Sequence, residues 1–363
     1  MHNNIKSIKV SQSNVGYRYI TFSNHDGKEW SIPVENMRVG LEIYEPSGAK
    51  GKILKYGMPV LSKMFGSRIV PESIPGDLIF SDPLQDLLKA LYDKYEVSVF
   101  WGTPSTDQKV TVQIFDGDKI CGYCKIGTSN RVFNLFQNEE NILNVLKQCN
   151  VENVPQCKGI FLLNDNEKVF VQTTEKKPGS KTIHEFGKEH EHFLQEMFDK
   201  TREHIAFEKT DFYKSLVFII DNVDELSAEY RNCVLETANA ILQEYKNQQV
   251  LWGVCHRDFT PWNTCMVNQH LFVFDFEYAH RHAPRCLDRW HFYTQTAIYE
   301  KRMSADEIAA DFLKKYKSCI EEYKMYLIDN ISLYIMRGCC DDIKIANQKA
   351  QILYQLKQGL QGL

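Results

Sequence analysis

The character of the chain changes once along its length. Up to residue 173 it reads mainly as strands, and from Thr182 onward it reads mainly as helices. Three apolar runs, 97–101, 109–115 and 119–126, are separated by turn signals, and Asp116-Gly117 closes a hairpin between the second and third. A helix over 134–149 follows, with Ile142, Leu143, Leu146 and Cys149 on one face. Two more strands, 159–163 and 168–173, are joined by a turn at 164–166. The expected order is three strands, one helix, two strands. Beyond it, Thr182 and Glu185 form a capping-box pattern. A helix over 227–245 carries the stripe Val234, Leu235, Ala238, Ile241 and Leu242. A short strand, 250–254, leads to His256. Two strands around Met266 and 271–274 bracket a tight turn at Asn268, and the chain from Asp288 on reads as helical, with a second capping box at Ser304 and Glu307.

The first ninety or so residues read as short strands and loops. Pro71, Pro75, Gly76 and Pro83 suggest a boundary there, and 82–95 reads as a short amphipathic helix on Leu84, Leu87, Leu88 and Leu91. A length of 363 residues is enough for two cores. A formal net charge of -4 argues against a nucleic-acid binder, which carries a basic excess. No run approaches the ~20 apolar residues needed to span a bilayer. The first ten residues hold no apolar signal-peptide core, and the 11 scattered cysteines read as free thiols. A cytoplasmic protein without nucleic-acid or membrane partners is the expectation.

The informative stretch is His256-Arg257-Asp258-Phe259-Thr260-Pro261-Trp262-Asn263, followed after one hairpin by Phe274-Asp275-Phe276-Glu277-Tyr278-Ala279. The pattern is H-x-D-x-x-x-x-N and then an acidic residue at a strand end. Phosphoryl transfer needs these residue types. One carboxylate orients the attacking hydroxyl and accepts its proton, while an amide oxygen and a second carboxylate hold magnesium against the phosphates. Magnesium is a hard ion that takes oxygen ligands.

This stretch resembles the catalytic core of the aminoglycoside phosphotransferase and choline kinase superfamily. Asp275-Phe276-Glu277-Tyr278-Ala279 with Leu287-Asp288-Arg289-Trp290-His291-Phe292 is particularly similar to choline and ethanolamine kinases. The resemblance implies an α+β, bilobal protein-kinase-like fold with an antiparallel-sheet N-lobe and a mainly helical C-lobe. The expected divisions are an N-terminal extension over 1–95, an N-lobe over 96–173 and a C-lobe over 174–363. It implies Asp258 as catalytic base and His256 as a buttress of the catalytic loop. Asn263 and Asp275 become magnesium ligands with Glu277 assisting, and Asp288 a support of the loop. ATP and Mg²⁺ are the implied cofactors, and a small-molecule acceptor the implied partner.

The N-lobe of such an enzyme supplies a lysine for the α- and β-phosphates and a helix glutamate to hold it. Lys125, in the strand Gly122-Tyr123-Cys124-Lys125-Ile126, is the candidate. Glu139, in Glu139-Glu140-Asn141-Ile142-Leu143, is its expected partner, with Glu140 as the fallback. The loop Gly102-Thr103-Pro104-Ser105-Thr106-Asp107 holds a single glycine, so phosphate contact there falls to backbone N–H groups and the hydroxyls of Ser105 and Thr106. By analogy of fold, the backbone of Val171-Gln172-Thr173 meets adenine.

Other signals carry less. Cys121 and Cys124 have no second pair at zinc spacing. His190 and His192 read as a solvated helix, and Trp290, Phe292 and Tyr293 as core in preference to an acceptor pocket. A protein kinase is the first alternative, since His256-Arg257-Asp258 matches its H-R-D. Against it, Asp275 is followed by Phe-Glu and no A-P-E appears. A nucleotide-binding pseudokinase is the second, opposed by the intact Asp258, Asn263, Asp275 and Lys125. The acceptor, whether sugar, amino alcohol or related metabolite, is left open by the sequence.

Overall fold

The computed structural model describes residues 5–13, 16–44, 46, 49–65, 73–103 and 108–361. The chain forms two compact units, one of residues 1–140 and 154–181, the other of 141–153 and 182–363.

The first unit is built on strands β1 (Ile8–Gln12), β2 (Tyr19–Ser23), β3 (Glu29–Pro33), β4 (Ile74–Phe80), β5 (Glu96–Phe100), β6 (Val110–Asp116), β7 (Lys119–Gly127), β8 (Gln156–Asn164) and β9 (Glu167–Thr173). They make one antiparallel sheet in the order β1-β4-β2-β3-β5-β6-β7-β9-β8. Helices α1 (Met37–Gly40), α2 (Ala49–Lys52), α3 (Met58–Phe65), α4 (Asp82–Leu91) and α5 (Asn130–Gln148) accompany it, and the last half of α5 belongs to the second unit. The hairpin between β6 and β7 pairs Asp116 with Lys119 across a two-residue loop, in which Gly117 takes a φ of 54°.

The first 95 residues therefore do not stand apart as an extension. Trp30 on β3 lies opposite Phe100 on β5, and their rings stack at 5.2 Å. The expected boundary dissolves for a local reason. Pro75 sits at the start of β4, where its carbonyl still accepts from the Ser13 N–H at 3.2 Å. Pro83 occupies the first turn of α4, where a missing N–H costs nothing. Pro71 lies outside the described residues. The chain start is further tied to β9. The Glu167 carboxylate, 1% exposed, accepts the backbone N–H groups of Lys6 and Ser7 and the Ser7 hydroxyl.

The second unit contains α6 (Lys188–Thr201), β10 (Glu203–Ala206), α7 (Asp211–Asp221), α8 (Ala228–Tyr245), β11 (Gln249–Cys255), β12 (Thr264–Val267), β13 (His270–Val273), β14 (His280–Ala283), α9 (Cys286–Gln295), α10 (Ala305–Tyr316), α11 (Ile320–Arg337) and α12 (Cys340–Gln361). Its core is aromatic: Trp290, Phe312, Tyr323 and Tyr326 are buried, with the Phe312 and Tyr323 rings stacked at 4.0 Å. Trp290 and Phe292 are buried within this unit, and the partly buried Tyr293 packs against its core. The Ser304–Glu307 capping box forms. The one expected at Thr182 and Glu185 does not, because α6 begins only at Lys188. There the buried His190 ring takes the place of a cap, its Nδ1 accepting the Gly187 N–H at 3.1 Å. His190 is thus not a solvated residue: Phe186, Phe259 and Phe292 surround its ring. Among the described residues no helix is long and apolar enough to cross a membrane.

Candidate active site

In the first unit Lys125 lies on β7, paired with Phe170 of β9 and Thr111 of β6. Three residues earlier the sheet is too tight for any side chain: a Cβ on Gly122 would sit 2.4 Å from the Gln172 carbonyl oxygen. Lys125 is 7% exposed, so its ammonium needs a partner. It donates to Glu139 Oε2 on α5 at 2.7 Å. Glu140 faces elsewhere and meets the Cys157 thiol. Gln172 and Thr173 end β9, laddered to β7 on one side and β8 on the other. Thr103 is described, while Ser105 and Thr106 lie outside the described residues.

The second unit holds the H-x-D loop. β11 ends at Cys255, and the loop that follows is fixed almost residue by residue. Asp288, at the start of α9, accepts the backbone N–H of His256 at 2.8 Å and of Arg257 at 2.7 Å. Arg257 takes a φ of 68°, a left-handed conformation that a non-glycine side chain resists. Its guanidinium is buried and held by the Asp329 carboxylate at 2.8 Å, the Asp329 carbonyl at 3.0 Å and Ser215 Oγ at 3.1 Å. The His256 ring spans the loop. Its Nδ1 accepts the Asp258 N–H at 3.2 Å, so Nε2 carries the proton and donates to the Phe274 carbonyl at 2.9 Å. His256 is fully buried, which suits a brace and not a group that meets substrate.

Phe274 also returns an N–H to the Asn263 carbonyl at 3.1 Å. The β12–β13 hairpin, turned at Asn268 and Gln269 with φ of 50° and 70°, thereby delivers Asp275 beside Asn263. Asp275 itself is left-handed, with φ 72°. Carboxylate oxygens of Asp275 and Glu277 lie within 4.8 Å of one another. Asn263 donates from Nδ2 to both the carbonyl and Oδ2 of Asp258, each at 2.9 Å, which turns its Oδ1 away as an oxygen ligand. An amide oxygen and two carboxylates make a donor set that a hard divalent cation such as Mg²⁺ takes, and the residue types present fit that ion.

The Asp258 carboxylate is gripped on both oxygens. Asn263 holds Oδ2, and His291 Nε2 lies 3.1 Å from Oδ1. His291 stands in the motif quoted from the sequence but has no role there, yet a signal for one exists. It follows Asp288 by three residues, so the two share one face of α9. Two cations also lie near Asp258, neither foreseen from sequence. Arg337 stacks on Tyr278 and Tyr334 at 5.3 and 5.1 Å. Lys349 is fully buried with its Nζ 4.9 Å from the Tyr334 ring centre, and burial lowers its pKa to about 7 against the opposing pull of Asp258.

Solved structures share this fold. A ternary complex of a thermostable mutant of aminoglycoside phosphotransferase APH(4)-Ia with ADP and hygromycin B matches with a TM-score of 0.52 at 9% identity, over 75% of this chain and 97% of that one. A second such complex, with AMP-PNP and hygromycin B, matches at 0.51 and 10% identity, over 76% and 98%. The apo form of a thermostable mutant gives 0.51 and 9%, again over 76% and 98%. At these identities the likeness is one of fold: an antiparallel-sheet unit followed by a mostly helical one, as in the aminoglycoside phosphotransferases and other protein-kinase-like proteins. No protein-family model matches the chain, and no curated protein sequence matches it.

Proposed function

We propose that this chain is an ATP- and Mg²⁺-dependent small-molecule kinase that transfers the γ-phosphoryl group of ATP to an acceptor hydroxyl. The observation that carries the reading is the Asp258 carboxylate, held through both oxygens on a loop whose backbone, side chains and neighbouring strand are all pinned. Asp258 orients the acceptor hydroxyl and takes its proton as the oxygen attacks phosphorus. Lys125, kept extended by Glu139, meets the α- and β-phosphates. Asn263, Asp275 and Glu277 hold the metal, which when bound neutralises charge building on the phosphate oxygens. His256 braces the loop without touching the reacting atoms.

A small-molecule acceptor is favoured over a protein by Arg257. In kinases switched by activation-loop phosphorylation, order comes from new arginine–phosphate pairs. Here the H-R-D arginine is buried, and its hydrogen bonds go to Asp329 and Ser215. Ten residues separate Asp275 from Cys286, the first of α9, which is too short for an activation segment.

The test is an ATP-consumption screen across sugars, amino alcohols, aminoglycosides and nucleosides, run beside Asp258→Asn. That variant keeps side-chain volume and the metal ligands. Its turnover should fall ~10²–10⁴-fold with ATP affinity retained. A wild-type rate in Asp258→Asn would remove the base assignment, and silence across the screen with no MgATP binding would remove the kinase reading.

A further inference from the structure

α9 presents two polar side chains on one face to three consecutive residues of the catalytic loop. Asp288 takes the backbone N–H groups of His256 and Arg257, and His291 reaches the carboxylate of Asp258. The His291 ring is 1% exposed. Its Nε2 lies 3.1 Å from Asp258 Oδ1, and two lone pairs cannot face each other at that distance, so Nε2 carries a proton. Its Nδ1 lies 3.3 Å from Asn330 Nδ2 on α11. The Asn330 amide can only donate from that nitrogen, so Nδ1 is unprotonated and the ring is the neutral Nε2–H tautomer. Burial works in the same direction, lowering the His291 pKa against the opposing influence of Asp258. Tyr326, edge-on with its ring 5.8 Å away, closes one side of the imidazole.

We propose that Asn330 and His291 form a relay that positions the catalytic base: Asn330 sets the imidazole tautomer, and His291 fixes the Asp258 carboxylate by donating to Oδ1. This rests on the proposed kinase reading of Asp258. With Asn263 on Oδ2 and His291 on Oδ1, the carboxylate cannot turn about its last torsion. Each oxygen keeps one lone pair, and one of these receives the proton of the acceptor hydroxyl. No proton travels along the relay; His291 keeps its own. A positioned base spares the reaction the cost of freezing that torsion at the moment of attack. His291 and Asn330 are positioning residues, since they act through Asp258.

The experiment combines kinetics with side-chain nitrogen NMR of the full chain. Long-range ¹H–¹⁵N spectra should show one histidine as a neutral Nε2–H tautomer that His291→Gln removes and Asp258→Asn shifts. Asn330→Asp, which offers an acceptor in place of the donor, should move that resonance toward the Nδ1–H or doubly protonated form. In kinetics, His291→Leu should lower kcat about 10–100-fold with little change in the KM for ATP, as loss of an orienting partner does elsewhere. His291→Gln, whose amide nitrogen can reach the Nε2 position, should recover most of that loss. A native Nδ1–H tautomer, or wild-type kcat in a folded His291→Leu, would overturn the relay. Should His291→Leu fail to fold, the tautomer spectrum and the Gln variant still decide. An inactive wild-type protein that nonetheless shows the coupled Nε2–H signal would sink the kinase reading and leave the hydrogen-bond relay standing.

Discussion

Lys125 Nζ lies 2.7 Å from Glu139 Oε2, with the two side chains 9% and 0% exposed. An ion pair this buried is weak evidence for stability as a whole, but removing one partner of a buried pair costs about 3–5 kcal/mol. Lys125→Met should therefore lower the thermal midpoint as well as ATP use, and Glu139→Leu should do the same. The double variant Lys125→Met/Glu139→Leu should regain stability while ATP turnover stays lost. Calorimetry on all three separates the effects; a double variant no more stable than the singles would contradict the pairing.

Asp288 holds two successive backbone N–H groups, and hydrogen bonds to a charged group contribute about 1.5–3 kcal/mol each. Asp288→Asn keeps one acceptor and turns a donor toward the other N–H. Its chemical-denaturation midpoint should drop clearly. Turnover measured far below that midpoint should fall too, because the left-handed backbone at Arg257 loses a charged acceptor of its N–H. Normal turnover in the folded variant would mean that the loop keeps its shape unaided.

Asp275 has a φ of 72°, which asparagine tolerates better than alanine. Asp275→Asn should keep the fold, judged by an unchanged melting curve, and lose Mg²⁺-dependent turnover. Turnover that persists in this variant, or in wild type with excess EDTA, would detach the metal from Asp275 and Glu277.

Acid should destabilise the second unit early. Burial lowers the pKa of both His190 and His280 to about 4, with Arg257 adding to the effect at His280. Their unfolded value is near 6.5, so between ~6.5 and ~4 the unfolded chain binds more protons than the folded one. Their contribution to stability is whole above pH ~6.5 and is lost as pH falls toward 4. Thermal midpoints should slide down between pH 7 and 4.5, and His190→Leu should flatten that slope. An equal slope in the variant would show that His190 titrates normally.

Lys349 runs the same way at higher pH. Its folded pKa of about 7 lies below the usual 10.5, so stability rises with pH between those values. Lys349→Met removes a buried ammonium that has no hydrogen-bond partner among the described residues. It should raise the thermal midpoint at pH 7 by several degrees, an advantage that shrinks toward pH 10. A lower midpoint in the methionine variant would point to an ionic role.

Much of this was legible in sequence because it is local. The strands around Gly117, the hairpin at Asn268 and the Ser304 cap depend on a few adjacent residues. The H-x-D loop and Asp275 lie 17 residues apart with a single hairpin between them. What stayed hidden is non-local. β1 pairs with β4, setting Ile8 opposite Phe80, and no periodicity announces such a partner. His190 looked solvated because the rings that bury it come partly from Phe259 and Phe292, 69 and 102 residues on. His291 stands in the quoted motif without a role, because that role depends on Asn330, 39 residues later.

The discontinuous division of the chain bears on the order in which it can assemble as it leaves the ribosome. The first unit lacks β8 and β9 until residue 173 has emerged, and the Glu167 carboxylate that secures residues 6 and 7 arrives just before that. The segment 141–153 is made early but belongs to the second unit, where the Asn153 carbonyl waits for the N–H of Val273, 120 residues downstream. No single cut frees either unit whole. A fragment starting at residue 182 lacks its acceptor at Asn153, and one stopping at 153 leaves the sheet two strands short. Vectorial synthesis lets the first unit close about half-way, once residue 181 is made, but leaves 141–153 without the rest of its unit until the second half follows, and that interval exposes the nascent chain to aggregation and proteolysis.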